Sequence, residues 1–155
     1  MEIFDSNWFG QLEMLISVSI ATVLGGIVGL EREFAHKPAG VRTHALWAAA
    51  ACLLVVLTDA IIAHFATESA PSLLRADPVR IIEAIVTGTA FLGAGTIFRH
   101  GTEKVEGLTT AASLLLVAGI GVAVGLKQVL LAVLVTALAL LLLRVVGIIF
   151  QRIED

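Results

Sequence analysis

Five stretches of this chain are apolar almost without interruption, and each is close to the length that crosses a bilayer. They cover residues 12–30, 44–66, 79–98, 108–124 and 128–150. A hydrocarbon core takes about 20 apolar residues as a helix. None of the stretches alternates apolar with polar residues, as the strands of a membrane barrel must, so they read as helices. The first ends at Glu31-Arg32-Glu33. A tight turn at Gly125-Leu126-Lys127 separates the fourth from the fifth, which makes them an antiparallel hairpin.

Composition excludes the alternatives. The chain has 155 residues, of which 58% are hydrophobic and 15% charged, where about 25% charged is usual for a soluble domain. Mean hydropathy is +0.99. A soluble globular domain and a disordered chain are both ruled out, and the length allows one domain, residues 1–155. The expected fold is all-α: a polytopic bundle of five transmembrane helices. Net charge is −3 with no long basic run, so no nucleic-acid partner is expected. The bilayer itself is the expected partner. Residues 1–11 hold Glu2 and Asp5 and no Lys or Arg, the reverse of a secretory leader. No soluble tail is expected, since only residues 151–155 follow the fifth stretch. Cys52, the single cysteine, lies in an apolar run and reads as a small buried hydrophobe.

Orientation follows the basic residues. With the N-terminus outside, Arg32, Lys37, Arg42, Arg99, Lys104, Arg144 and Arg152 lie on the inner side, and Arg75, Arg80 and Lys127 on the outer side. The C-terminus is then cytoplasmic. The connection from Thr67 to Asp77 is the longest outer loop, and Asp77-Pro78 reads as an N-cap followed by proline at the first helical position. No internal repeat of the inverted-transporter kind is present.

Small and polar residues inside the spans carry what chemistry the sequence offers. Gly25 and Gly29 share one helix face, and Gly88, Gly93 and Gly95 lie in the third span. Small residues let helices approach closely where lipid supplies no hydrophobic drive, so these are expected packing positions. The alternative is a locally unwound helix at Gly93-Ala94-Gly95 lining a site. Asp59 and Glu83 lie within the spans towards the outer side. A carboxylate at such depth normally has a partner: Arg80, one turn from Glu83, supplies one by spacing. Asp59 has no local cation and is either hydrogen-bonded or joined with Glu83 in a cation or proton site. Mg²⁺ needs only one or two carboxylates because it keeps several waters.

On the inner side, Glu31, Arg32, Glu33, Lys37, Arg42, Thr43, His44, Arg99, His100 and Thr109-Thr110 gather at one level. They read either as an ion-pair network or as an anion site at the start of the fourth helix. His36, His44, His64 and His100 lack zinc spacing. No catalytic motif is present, Ser113 has no evident base in the sequence, and no enzyme activity or organic cofactor is expected.

Three segments together resemble the MgtC/SapB family of bacterial inner-membrane proteins. They are Gly25-Gly26-Ile27-Val28-Gly29-Leu30-Glu31-Arg32-Glu33 leading to Lys37-Pro38-Ala39-Gly40-Val41-Arg42-Thr43-His44; Asp77-Pro78-x-Arg80 followed by Phe91-Leu92-Gly93-Ala94-Gly95-Thr96-Ile97; and Gly107-Leu108-Thr109-Thr110-Ala111-Ala112-Ser113. The resemblance spans residues 12 to about 125 and is to a short form, without the cytoplasmic C-terminal domain of longer relatives. It implies a multi-pass bacterial inner (plasma) membrane domain concerned with magnesium homeostasis and adaptation to low magnesium. It leaves open whether such a domain moves Mg²⁺ or another cation, or instead modulates another membrane complex. Separately from the resemblance, the glycine-rich helix faces make a homodimer the expected self-association. The charged signature of the family pattern falls on Glu31, Arg32, Glu33, Lys37, Arg42, Thr43 and His44 inside, and on Asp77 and Arg80 outside. The chain departs from the family pattern at Ala90, where a second glycine is common, and at Leu115, where an aromatic is common.

Overall fold

The computed structural model describes residues 8–67, 77–100 and 104–154. Five helices follow one another: α1 (Trp8–Phe34), α2 (Val41–Thr67), α3 (Pro78–Gly95), α4 (Leu108–Gly125) and α5 (Val129–Glu154). Each lies on one of the five apolar stretches, and most extend beyond them into polar flanks. The exception is the third stretch, expected to run helical to residue 98. Helix α3 stops at Gly95, where Thr96 turns back to bond the carbonyls of Gly93 and Ala94. Phe98 instead opens a short antiparallel hairpin, β1 (Phe98–His100) with β2 (Lys104–Glu106), in which Arg99 faces Val105. Gly107 closes the hairpin at φ +95, packed against the carbonyl of Thr96 where no side chain fits. Residues 68–76, including Arg75 in the expected outer loop, lie outside the described residues. So do the side chains of His64, Arg99, His100, Lys104 and Arg152.

Local signals explain the helix boundaries. Asp77 caps α3 by accepting a 3.0 Å hydrogen bond from Val79 N–H, with Pro78 next, as the sequence indicates. Helix α1 ends with Lys37 N–H bonded to Arg32 C=O and His36 N–H to Glu33 C=O. This is the Schellman arrangement, and His36 takes the left-handed conformation it requires, φ +54. Helix α4 ends in the same way. Gln128 N–H reaches Ala123 C=O and Lys127 N–H reaches Val124 C=O, with Lys127 at φ +62. The expected α4–α5 hairpin therefore turns on a lysine rather than a glycine.

Helices α1, α2 and α4 form the centre, and α3 and α5 lie outside it. Small residues hold the centre together. A methyl group on Gly25 would lie 2.6 Å from the Cβ of Ala48, and one on Gly29 would lie 2.7 Å from the Cα of Val41. From the other side, Gly121 of α4 sits against the carbonyl of Ala48, and Gly125 against Val55. Ala48 is thus sandwiched between α1 and α4.

The exposed surface is the inverse of a soluble protein's. On α5, Ala132, Thr136 and Ala139 are buried, while Leu130, Leu134, Leu138, Leu141 and Val145 face outward. On α1, Ser17, Ala21, Gly25 and Gly29 are buried, while Leu12, Ile16, Val23, Ile27 and Leu30 are exposed. Small residues inward and large apolar residues outward is the pattern of helices packed in lipid; a soluble monomer does not present continuous apolar faces of this extent. Helix α1, residues Val41–Ile62 of α2, and α4 are long and apolar enough to cross a membrane.

Candidate functional site

The polar residues inside the bundle converge at one end, where α1 turns into α2 and α4 begins. Glu33, in the last turn of α1, accepts a 2.9 Å hydrogen bond from Val41 N–H, the first free amide of α2. A carboxylate there satisfies an orphan donor and complements the helix dipole. The contact depends on Gly40, because a Cβ at that position would come 2.6 Å from Glu33 Oε2.

One turn further on, His44 is fully buried. Its Nδ1 lies 2.9 Å from the carbonyl of Gly40, and its Nε2 lies 3.0 Å from Ser113 Oγ on α4. Ser113 Oγ in turn lies 2.8 Å from the carbonyl of Thr110. A carbonyl only accepts, so Nδ1 carries a proton. The serine hydroxyl has a single proton to give. With a neutral imidazole it donates to Nε2; with an imidazolium, Nε2 donates to Oγ and the hydroxyl turns to Thr110. The line Gly40–His44–Ser113–Thr110 therefore has two self-consistent proton arrangements. The sequence offers no partner for Ser113; the fold supplies one, but both side chains are buried and neither is open to a substrate.

Beside this line lies a buried charge pair. Arg32 is only 4% exposed, and its Nε stands 3.1 Å from Glu31 Oε2. Arg32 Nε and Nη1 and Glu31 Oε2 have no hydrogen-bond partner among the described residues. Of the inner signature, then, Glu31, Arg32, Glu33 and His44 are drawn together structurally, whereas Lys37, Arg42 and Thr43 are exposed. The described ion pairs are Arg32–Glu31 and, at the opposite end, Lys127–Glu13 at 3.8 Å. Lys127 also donates to Ser17 Oγ at 3.3 Å, tying the α4–α5 turn to the start of α1.

The outer-side candidates sit apart from one another. Asp59 borders a cleft between α2, α3 and α4 with Ile81, Ile82 and Val122, and Glu83 does not line it. Both carboxylates are exposed on the bundle surface. The Arg80–Glu83 pair suggested by spacing does not form, and Asp77 is occupied as the α3 cap. Among the described residues no three His, Cys, Asp or Glu side chains are placed to hold a metal ion. Of the third-span glycines, Gly93 packs on α4, where a Cβ added to it would lie 3.2 Å from the Cβ of Ala111, and Gly88 faces the ring of Trp47. Gly95, expected to be a packing position, has open space beside it. Sequence reasoning missed the Trp47 Nε1–H bond to Thr89 Oγ1, 2.9 Å, which links α2 to α3.

Comparison with known proteins identifies the family. The chain is 36% identical over 121 residues to Protein SapB of Bacillus subtilis, covering 77% of the chain and 50% of that protein. It is 42% identical over 107 residues to Protein MgtC of Brucella abortus, covering 68% of the chain and 39% of that protein. It is 33% identical over 133 residues to YhiD of Escherichia coli, which bears a provisional designation as a magnesium transporter; this covers 86% of the chain and 60% of YhiD. The chain spans about half the length of the curated relatives it matches. No solved structure matches it. The match to the MgtC family runs over residues 18–152, through the glycine-packed centre and the His44–Ser113 line alike, and the chain belongs to that family.

Proposed function

We propose that this chain is a five-span inner-membrane protein of magnesium homeostasis, and that it acts by modulating another membrane component. The magnesium assignment draws on relatives: YhiD bears a provisional designation as a magnesium transporter, and the Brucella protein is named MgtC. The observation that carries the mode of action is the contact of Gly25 and Gly121 with Ala48 from opposite sides. Helices α1, α2 and α4 meet there with less room than a methyl group needs. Mg²⁺ holds six oxygen ligands at about 2.0–2.1 Å and sheds water reluctantly, so a path through this centre would require the helices to part.

In this reading α1 to α5 all cross the bilayer, with the N-terminus outside and the C-terminus in the cytoplasm. The excess of Lys and Arg on the inner side, seven (Arg32, Lys37, Arg42, Arg99, Lys104, Arg144 and Arg152) against three (Arg75, Arg80 and Lys127), supports that orientation. Cysteines introduced at Lys127 and at Lys37, in a chain with Cys52→Ala, test it: Lys127→Cys should react with an impermeant thiol reagent in whole cells and Lys37→Cys only after lysis. The reverse pattern overturns the orientation.

The second reading is cation transport along the outer cleft that Asp59 borders. Purified protein in liposomes under a Mg²⁺ gradient separates the two. The expected result is no flux above protein-free liposomes. Flux that disappears in the Asp59→Asn/Glu83→Gln variant establishes transport instead.

A further inference from the structure

Helices α1 and α5 run parallel, because Lys127, in the turn just before α5, sits on Ser17 while residues 140–144 of α5 reach the last turns of α1. Between them lies a groove of about 370 Å³ lined by Ile27, Leu30, Glu31, Phe34, Leu140 and Arg144. That volume falls in the range of small-molecule clefts, roughly 300–1,000 Å³. Ile27, Leu30 and Phe34 are exposed, so the groove opens to the surroundings of the bundle and not into its core. Its polarity is graded along the helices. Ile27 and Leu140 stand at the end nearer the middle of the bundle, and Glu31 and Arg144, each one turn further, stand at the end where α1 terminates.

The charges at that end are not equivalent. Glu31 is engaged with Arg32, its Oε2 3.1 Å from Arg32 Nε, and only 15% of its side chain is exposed. Arg144 is exposed and belongs to neither ion pair among the described residues. Among the described residues the groove therefore presents Arg144 as an uncompensated positive charge at the head of an apolar trough.

We propose that this groove holds one anionic glycerophospholipid, its phosphodiester on Arg144 and an acyl chain along Ile27, Leu30 and Leu140. Basic pockets between transmembrane helices select anionic head groups in this way, and a guanidinium–phosphate contact is charge-assisted and geometrically specific. A zwitterionic head group fits less well, because its cationic end would face Arg144 while Glu31, the one carboxylate lining the groove, is already paired with Arg32. The inference rests on the bundle's lying in a bilayer. Native mass spectrometry of the purified chain, offered phosphatidylglycerol, phosphatidylethanolamine or phosphatidylcholine, tests it. Phosphatidylglycerol should be retained about tenfold more than either zwitterionic lipid, and Arg144→Gln should erase that preference. Arg80→Gln, remote from the groove, should leave it intact, and Leu140→Trp should reduce retention of all three by filling the trough. Equal retention of the three lipids by the unaltered chain, or an undiminished preference in Arg144→Gln, overturns the proposal. Release of the chain from membranes by alkaline carbonate, whatever residue stands at 144, overturns the bilayer reading with it.

Discussion

The imidazole Nε2 of His44 lies 3.0 Å from Ser113 Oγ, joining α2 to α4 across 69 positions of sequence. The two residues come from separate segments of the family resemblance, one after α1 and one in α4, and the fold brings them together in a space neither water nor substrate reaches. The bond fixes the relative rotation of α2 and α4 at the same end where Glu33 caps α2 and Arg32 is buried against Glu31.

That bond should be measurable as a coupling. Ser113→Ala leaves His44 Nε2 without its partner and should cost about 1–3 kcal/mol. His44→Ala removes a fully buried ring as well, and should cost more. In a double-mutant cycle read from unfolding in detergent, the pair should show a coupling of about 0.6 kcal/mol or more, the range found for hydrogen bonds between membrane helices. Strict additivity would mean that the contact contributes nothing.

The glycines should divide into two classes. Gly121→Ala drives a methyl group into the backbone of Ala48 and should destabilise by roughly 1–3 kcal/mol. Gly29→Leu should prevent assembly altogether, since Val41 Cα and Gly40 C=O already crowd the position. Gly119 and Gly95 have open space beside them, so Gly119→Ala should be neutral, or stabilising by up to about 1 kcal/mol through helix propensity. Thermal aggregation midpoints of the purified variants distinguish the classes, and a Gly121→Ala protein as stable as the unaltered chain would refute the close approach.

The Arg32–Glu31 pair makes an asymmetric prediction. Glu31→Gln leaves a buried guanidinium uncompensated and should cost about 3–5 kcal/mol, whereas Glu31→Gln with Arg32→Met removes both charges and should recover most of it. Detergent unfolding of the single and double variants gives the comparison. A double variant no better than Glu31→Gln would show that the pair is not what the single change disrupts.

How much of this could be read from the sequence depended on the range of the interaction. The helices were legible because an apolar run of about 20 residues has few other structures open to it, and Asp77-Pro78 marked the start of α3 through contacts only two residues apart. The hairpin at 98–106 was not legible, because Ile97-Phe98 prolongs the apolar run of α3 and composition cannot tell a short strand from the last turn of a helix. The partner of Ser113 lies 69 residues away, and no local pattern announces it. Glu33 illustrates a subtler loss: its charge suggested an ion pair with an arginine, but the turn at residues 35–40 delivers the Val41 amide first. Asp59 and Glu83 were matched by depth along their helices. Depth does not fix rotation about the helix axis, and the fold sets only Asp59 on the cleft beside Ile81 and Ile82.

The most direct measurement is growth at limiting magnesium of a bacterial host deleted for its own family member and supplied with this chain. The unaltered chain should restore growth, the Asp59→Asn/Glu83→Gln variant should restore it equally, and Gly29→Leu should not. Failure of the membrane-inserted, unaltered chain to improve growth would contradict a role in magnesium homeostasis. Loss of rescue in the Asp59→Asn/Glu83→Gln variant at normal membrane abundance would contradict a modulating mode of action and place the chemistry on the outer acids.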